Sequence, residues 1–282
     1  MVKSQHRKLA GSSFTRFPVA DLNDSPLNQQ VKLNEYNFFL NLPKPLKNQK
    51  TLLIHGFSYT LVTPFTDNDL NLGLDGQKLH LIGYRLTAMH QLKKNWRALV
   101  SLNSTLSSTF NTALEGDDFL FNGLLQFTKK KSDRFSYGAG VTFTSRFGEP
   151  ILIPTLQLTF DKGDSKLQVL LPRSITYDCY FGKLTTGIQI AASGSLYNIN
   201  STRTNILNEI EPVDKLAYTR VVVGPSFRYR VGKMVEIEVS GGITLARRVE
   251  LQGDVFDDQN TVANGPFFEF GLAIVPPRKK TN

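Results

Sequence analysis

A closed, antiparallel, up-and-down β-barrel that crosses a membrane, all-β and of about 12–14 strands, is the fold this sequence predicts. Three observations lead there. Apolar and polar residues alternate with a period of two along most of the chain. Each alternating run is about ten residues long, the length of a tilted membrane-spanning strand. The connections between runs alternate between short, basic ones and longer ones that are mostly acidic.

The clearest run is Tyr218 to Ala246. In its first arm Val221, Val223, Phe227 and Tyr229 share one parity and Arg220, Ser226, Arg228 and Arg230 the other. In its second arm Val235, Ile237, Val239, Ile243 and Leu245 alternate with Glu236, Glu238, Ser240 and Thr244. Each parity occupies one face of a strand, and the few residues around Gly232 make the arms antiparallel neighbours. One face is greasy and the other sets arginines against glutamates. In a barrel that charged face is the lumen wall; in a soluble β-sandwich, the alternative fold, it would look at bulk water.

The other elements follow in order. Gly11 to Val19 is a weak strand and Val31 to Leu42 a clearer one, stopped by Pro43 and Pro45. Leu52–Thr63, Leu79–Met89, Trp96–Leu106, Phe119–Thr128, Phe135–Thr144 and Ile151–Phe160 all alternate. Leu167–Leu171 and Ile175–Phe181 read as separate short strands about Pro172 and Arg173. Leu184–Tyr197 follows, then the hairpin above, and Phe267–Val275 is last, with Glu269 opposite Phe268 and Phe270. Long loops are expected at Pro64–Gln77, Ser107–Asp118, Asn198–Ala217 and Arg247–Asn264. No amphipathic helix is visible. The whole chain, 1–282, reads as one domain, with 1–30 as a weak first strand or weakly ordered and 276–282 as a basic tail.

Up-and-down connectivity sends alternate connections to opposite ends. Lys44 and Lys47, Lys93 and Lys94, Lys129 to Lys131, Lys162, Lys183 and Lys233 therefore share one end. Asp67, Asp69 and Asp75, then Glu115, Asp117 and Asp118, then Glu209, Glu211 and Asp214, then Asp254, Asp257 and Asp258 share the other. Short turns at one end and long loops at the other are the habit of outer-membrane barrels, and an even total near 14 satisfies the parity.

Composition excludes several classes. No apolar run is long enough for a spanning helix. The formal charge of +9 sits at turns, not on a patch interleaved with exposed aromatics, so no nucleic-acid partner is expected. Cys179, the single cysteine, lies in an alternating run and reads as a small apolar residue. His6, His55, His80 and His90 have no metal-ligand spacing, and there is no CxxC, GxSxG or Walker loop; no metal and no cofactor are expected. The start, MVKSQHRKLAGSS, is basic but lacks an apolar stretch, so no secretory signal is read from it. A membrane-embedded hydrolase would need His55 or His90 beside a serine such as Ser101.

The segments YGAGVTFTSRFGEPILIPTLQLTFDKGDSKLQVLLPRSITYDCYF (137–181) and LTTGIQIAASGSLY (184–197), with their Leu-Pro and Gly-Lys turns, resemble a bacterial, Bacteroidetes-type outer-membrane β-barrel family of unknown function. The resemblance runs from about Val31 onward. It implies an outer-membrane location, contact with outer-membrane lipid and lipopolysaccharide, and no catalytic residue. The final Ile274-Val275-Pro276-Pro277 departs from the terminal aromatic common in such barrels.

The functional group expected from the residues themselves is a lumen charge cluster of Arg220, Arg228, Arg230, Glu236, Glu238 and Glu269. It serves either as a salt-bridge network stiffening the wall or as a constriction that selects small solutes. A passive pore is the leading function; a structural or adhesive barrel with a filled lumen is the alternative.

Overall fold

The computed structural model describes residues 8–23, 30–67, 77–147, 149–204, 209–253 and 256–277. His6, Asp69, Asp75, Asp254 and most of the basic tail, 278–282, lie outside the described residues, as do the side chains of Asp67 and Asp258.

The strands are β1 (Ala10–Asp21), β2 (Gln30–Pro45), β3 (Thr51–Asp67), β4 (Leu79–Gln91), β5 (Trp96–Ser108), β6 (Phe119–Lys130), β7 (Phe135–Phe147), β8 (Glu149–Asp161), β9 (Ser165–Leu171), β10 (Ser174–Phe181), β11 (Leu184–Thr204), β12 (Ile210–Val231), β13 (Val235–Gly253), β14 (Phe256–Val262) and β15 (Gly265–Ile274). Each pairs antiparallel with the next from β1 to β13, then β13 with β15 and β15 with β1, which closes a ring of fourteen strands. β14 adds no stave: it pairs with the far half of β13 (Arg247↔Val262 to Gly253↔Phe256), beyond where β15 pairs with the near half (Val235↔Ile274 to Thr244↔Gly265).

Two expected loops are mostly strand. β11 and β12 run on as a pair to Thr204↔Ile210, and β13 and β14 pair from Arg247↔Val262 to Gly253↔Phe256. Polar side chains along these stretches hid strands that satisfy their backbone groups with each other. The loop expected after β5 contains one 3-10 turn, Gly116–Asp118. β9 and β10 are two strands about Pro172 and Arg173, as the parity required.

The apolar parity faces out. Phe38, Phe57, Tyr84, Leu102, Phe121, Phe127, Leu152, Ile188, Phe227 and Phe270 are among its exposed members. Such a continuous greasy band is unsustainable in water and suits a bilayer. At the short-turn end, Gly163, Gly182 and Gly232 take positive φ (94°, 59° and 66°), which lets two-strand turns close tightly.

The inner face divides in two. At the long-loop end it is apolar: Phe17, Val31, Leu33, Val62, Leu79, Tyr197, Ile199, Leu216, Tyr218, Val249, Leu251 and Phe267 form one buried cluster. A small cavity of about 20 Å³ lies among its members. The expected lumen was polar throughout; here hydrophobic parity switches to the inside because the ends of β11 and β12 cross the barrel. Leu196, on the outward parity of β11, is buried with Ala217 against Leu120 of the opposite wall. Asn198 pairs with Ser108 of β5, and Ser107 Oγ donates to the Leu196 carbonyl at 2.5 Å. Lys215 and Asp117 close the same junction at 3.0 Å.

Candidate functional site

Below that stopper the lumen is polar. The expected cluster occupies its inward parity, and β12 and β13 are in the register that sets Arg228 opposite Glu238 and Arg230 opposite Glu236. The ion pairs, however, mostly run elsewhere. Arg228 pairs with Asp178 of β10 at 2.5 Å, reaching over β11. Gly187 lies on β11 directly beside Asp178, and a Cβ there would stand 2.6 Å from Asp178 Oδ1. The missing side chain is what lets the pair cross the intervening strand. Arg230 and Glu236 are both buried, with Nε and Oε2 4.0 Å apart, and Arg230 Nη1 donates to the Pro276 carbonyl at 3.3 Å. Glu238 takes Lys8, ahead of β1, at 2.5 Å. Glu269 accepts from Ser240 Oγ at 3.0 Å.

Arg220 stands apart from the other five. It spans the lumen to Glu35 of β2 at 2.5 Å, its guanidinium 4.4 Å from the Phe17 ring centre and 5.0 Å from that of Tyr218. This tie sits directly under the apolar stopper. Arg247 is buried beside it at a bulge of β13, its Nε donating to Tyr218 Oη at 3.3 Å. The sequence reading missed Asp178, Glu35, Lys8 and Arg247. Asp178 and Glu35 carried a usable signal, since each is a carboxylate on the polar parity of a strand. Lys8 and Arg247 carried none: one precedes the first strand and the other falls in an expected loop.

Across the lumen, Ser58 of β3 and Arg85 of β4 point inward and are exposed, so water reaches the wall there. Arg85 Nη2 donates to Asn41 Oδ1 at 3.2 Å, and its charged neighbour is Arg173, at the top of the β9–β10 hairpin. No carboxylate meets either arginine among the described residues. Along β6 to β8, Gln126 Nε2, Thr155 Oγ1 and Thr159 Oγ1 are buried with no hydrogen-bond partner.

The three described histidines lie on the outer parity. His55 shares a 2.8 Å hydrogen bond with Tyr84 Oη, His80 one with Tyr59 Oη, and His90 one with Thr51 Oγ1. Ser101 is on the inner face, 2.8 Å from Thr87 Oγ1. The wall itself separates Ser101 from both histidines that a hydrolase would need. Among the described residues no group of histidines, cysteines and carboxylates is placed to hold a metal. The acidic loops contribute instead to a polar cleft of about 350 Å³ at the long-loop end, lined by Glu115, Asp117, Asp118, Asp214 and Lys215 among others.

A family model described as a domain of unknown function, DUF6268, matches residues 19–274. The chain belongs to the DUF6268 family. Among solved structures this DUF6268 protein is similar to the COG4313 outer membrane channel from Pseudomonas putida F1, with 8% identity over 97% of this chain and 98% of that one and a TM-score of 0.43. It is similar to a mutant of Rh. blastica porin at 9% identity, 94% and 99% coverage and a TM-score of 0.35. The TodX monoaromatic hydrocarbon channel deltaS2 mutant matches at 9% identity, 96% and 90% coverage and a TM-score of 0.42. No curated protein matches the chain.

Proposed function

We propose that this protein is a bacterial outer-membrane barrel, of the Bacteroidetes type its sequence resembles, whose lumen passes small solutes. The observation that carries the reading is the inversion of the two faces. Large apolar side chains are exposed around the outside, while Ser58 and Arg85 are exposed on the inside. A wall of that kind separates lipid from water within the barrel. Outer-membrane lipid and lipopolysaccharide are then its surroundings, and no nucleic acid is a partner. The charge cluster of Arg220, Arg228, Arg230, Glu236, Glu238 and Glu269 has wall-stiffening as its main role, since five of the six hold carboxylate–cation contacts with other parts of the chain. Arg85 and Arg173, which no described carboxylate meets, set the lumen field.

The apolar stopper favours a second reading, a structural barrel with a filled lumen. Planar-bilayer recording separates the two. A pore gives discrete KCl conductance with anion preference, and Arg85→Glu moves the reversal potential toward cations. Folded, inserted protein that never conducts rejects the pore in favour of the structural barrel.

A further inference from the structure

The wall is not equally tall all round. β9 stops at Leu171, opposite Leu156 of β8, and β10 begins at Ser174, opposite Ala191 of β11. β8 continues above that level through Ile151–Thr155 with β7 as its only strand neighbour. β11 continues through Ala192–Tyr197 with ladder pairing to β12 alone, while its upper part packs inward against other strands. A notch is left above the β9–β10 hairpin, two strands wide. On the far side of the β7–β8 hairpin, the paired register of β6 with β7 ends at Gly123↔Phe143.

The notch lies at the level of the greasy band. Leu152, on the outward parity of the bare β8 edge, is 71% exposed, against 43% for Leu156, which is paired with the last residue of β9. An open sheet edge is not tolerated in hydrocarbon unless it borders a water-filled cavity. β8 places Pro154 on this stretch, a residue with no N–H to leave unpaired. The facing stretch of β11 is small, Ala192-Ser193-Gly194, and Ser193 is exposed although it has the inward parity. Just inside, Gln126, Gly140 and Thr155 stand in one row of the β6–β7–β8 register. Two of that row's buried atoms, Gln126 Nε2 and Thr155 Oγ1, have no partner. Arg173 forms the sill, and Arg85 lies within electrostatic reach of it across the lumen.

The packed stopper narrows the axial exit, while a side exit is bordered by apolar residues outside and by unmet donors and cations inside. We propose that this notch is a lateral portal between the lumen and the outer leaflet, and that it seats a single-chain amphiphile with an anionic head. The head lies against Arg173, Arg85, Gln126 and Thr155, and the chain extends past Leu152 and Leu171 into the bilayer. This inference rests on the outer-membrane pore reading above and adds a route and a ligand class.

The test uses nitroxide-labelled dodecanoate with the full chain in phosphatidylethanolamine nanodiscs, where an immobilised EPR component separates seated probe from free lipid-phase probe. The wild type should immobilise it, and labelled dodecyltrimethylammonium should stay mobile. Arg173→Glu should weaken dodecanoate seating by about tenfold, the worth of one charge-assisted contact. Ser193→Trp, which fills the notch, should remove the immobilised component. Leu102→Trp, on the lipid face well away from it, should leave seating unchanged. Heat-modifiable gel mobility verifies folding of each variant. The portal is overturned by the absence of immobilised dodecanoate in the wild type, by equal seating of the cationic probe, or by undiminished seating in folded Ser193→Trp. KCl conductance of the same preparations keeps the two readings distinct: conduction without seating overturns the portal alone, and seating without conduction overturns the pore alone.

Discussion

Removing Glu35 should cost this barrel more than removing any other single carboxylate of the lumen. Arg220 and Glu35 retain only 11% and 15% of their side-chain exposure and meet at 2.5 Å across the lumen. Breaking a buried pair leaves the surviving charge uncompensated and costs about 3–5 kcal/mol. The residual exposure places Glu35→Leu at the lower end, about 3 kcal/mol. Arg220→Met should lose a similar amount, because Glu35 is then stranded and the contacts of the guanidinium with Phe17 and Tyr218, about 0.5–1 kcal/mol each, go as well. The double substitution removes both charges and should recover most of the loss, ending within about 1–2 kcal/mol of wild type, since apolar replacement of a buried pair is often near neutral. Urea unfolding in detergent micelles, followed by Trp96 fluorescence and by heat-shifted gel mobility, measures all three. Losses that add to within about 0.5 kcal/mol would refute the cross-lumen tie.

Three further outcomes follow from the same geometry. Gly187→Ala should destabilise by about 1–3 kcal/mol in the same unfolding assay, because its Cβ meets the Tyr177 carbonyl at 2.5 Å and Asp178 Oδ1 at 2.6 Å, and the loss should shrink in an Asp178→Asn background. Glu236→Ala should destabilise, and the larger recovery should come from adding Arg230→Ala, not Arg228→Ala, because Arg228 keeps Asp178; a double-mutant cycle on each pair decides it. Leu102→Arg, on the exposed outer parity of β5, should cost about 2–4 kcal/mol of folding in lipid vesicles if that position is near the bilayer midplane, and almost nothing if the face is solvated.

Strand parity was the most legible feature because it depends only on a local period. The outward placement of Phe227, Tyr229 and Phe270, and the register of Arg228 with Glu238, follow from alternation plus one tight turn at Gly232. The split of 167–181 about Pro172 follows from the even count that closure demands. Partner choice was not legible. Side chains on one lumen wall can reach any strand that the curvature brings near, so Arg228 bypasses its cross-strand glutamate for a carboxylate two strands away. Nothing in the local sequence of β12 reports that Gly187 has cleared the path.

The stopper exposes the limit of period-based reading most sharply. Leu196 and Ala217 have the parity of lipid-facing residues, yet both are buried inside the barrel. Their strands are the longest in the chain, 21 and 22 residues, far more than a tilted span of the bilayer uses. Chain that extends beyond the bilayer no longer has lipid to satisfy its apolar face, and folding inward against Leu120 buries that face at once. The neighbouring β9 and β10, at 7 and 8 residues, are too short to block the movement. Strand length therefore carries information that parity does not. The same inequality that lets β11 and β12 narrow the axis leaves the wall low beside them.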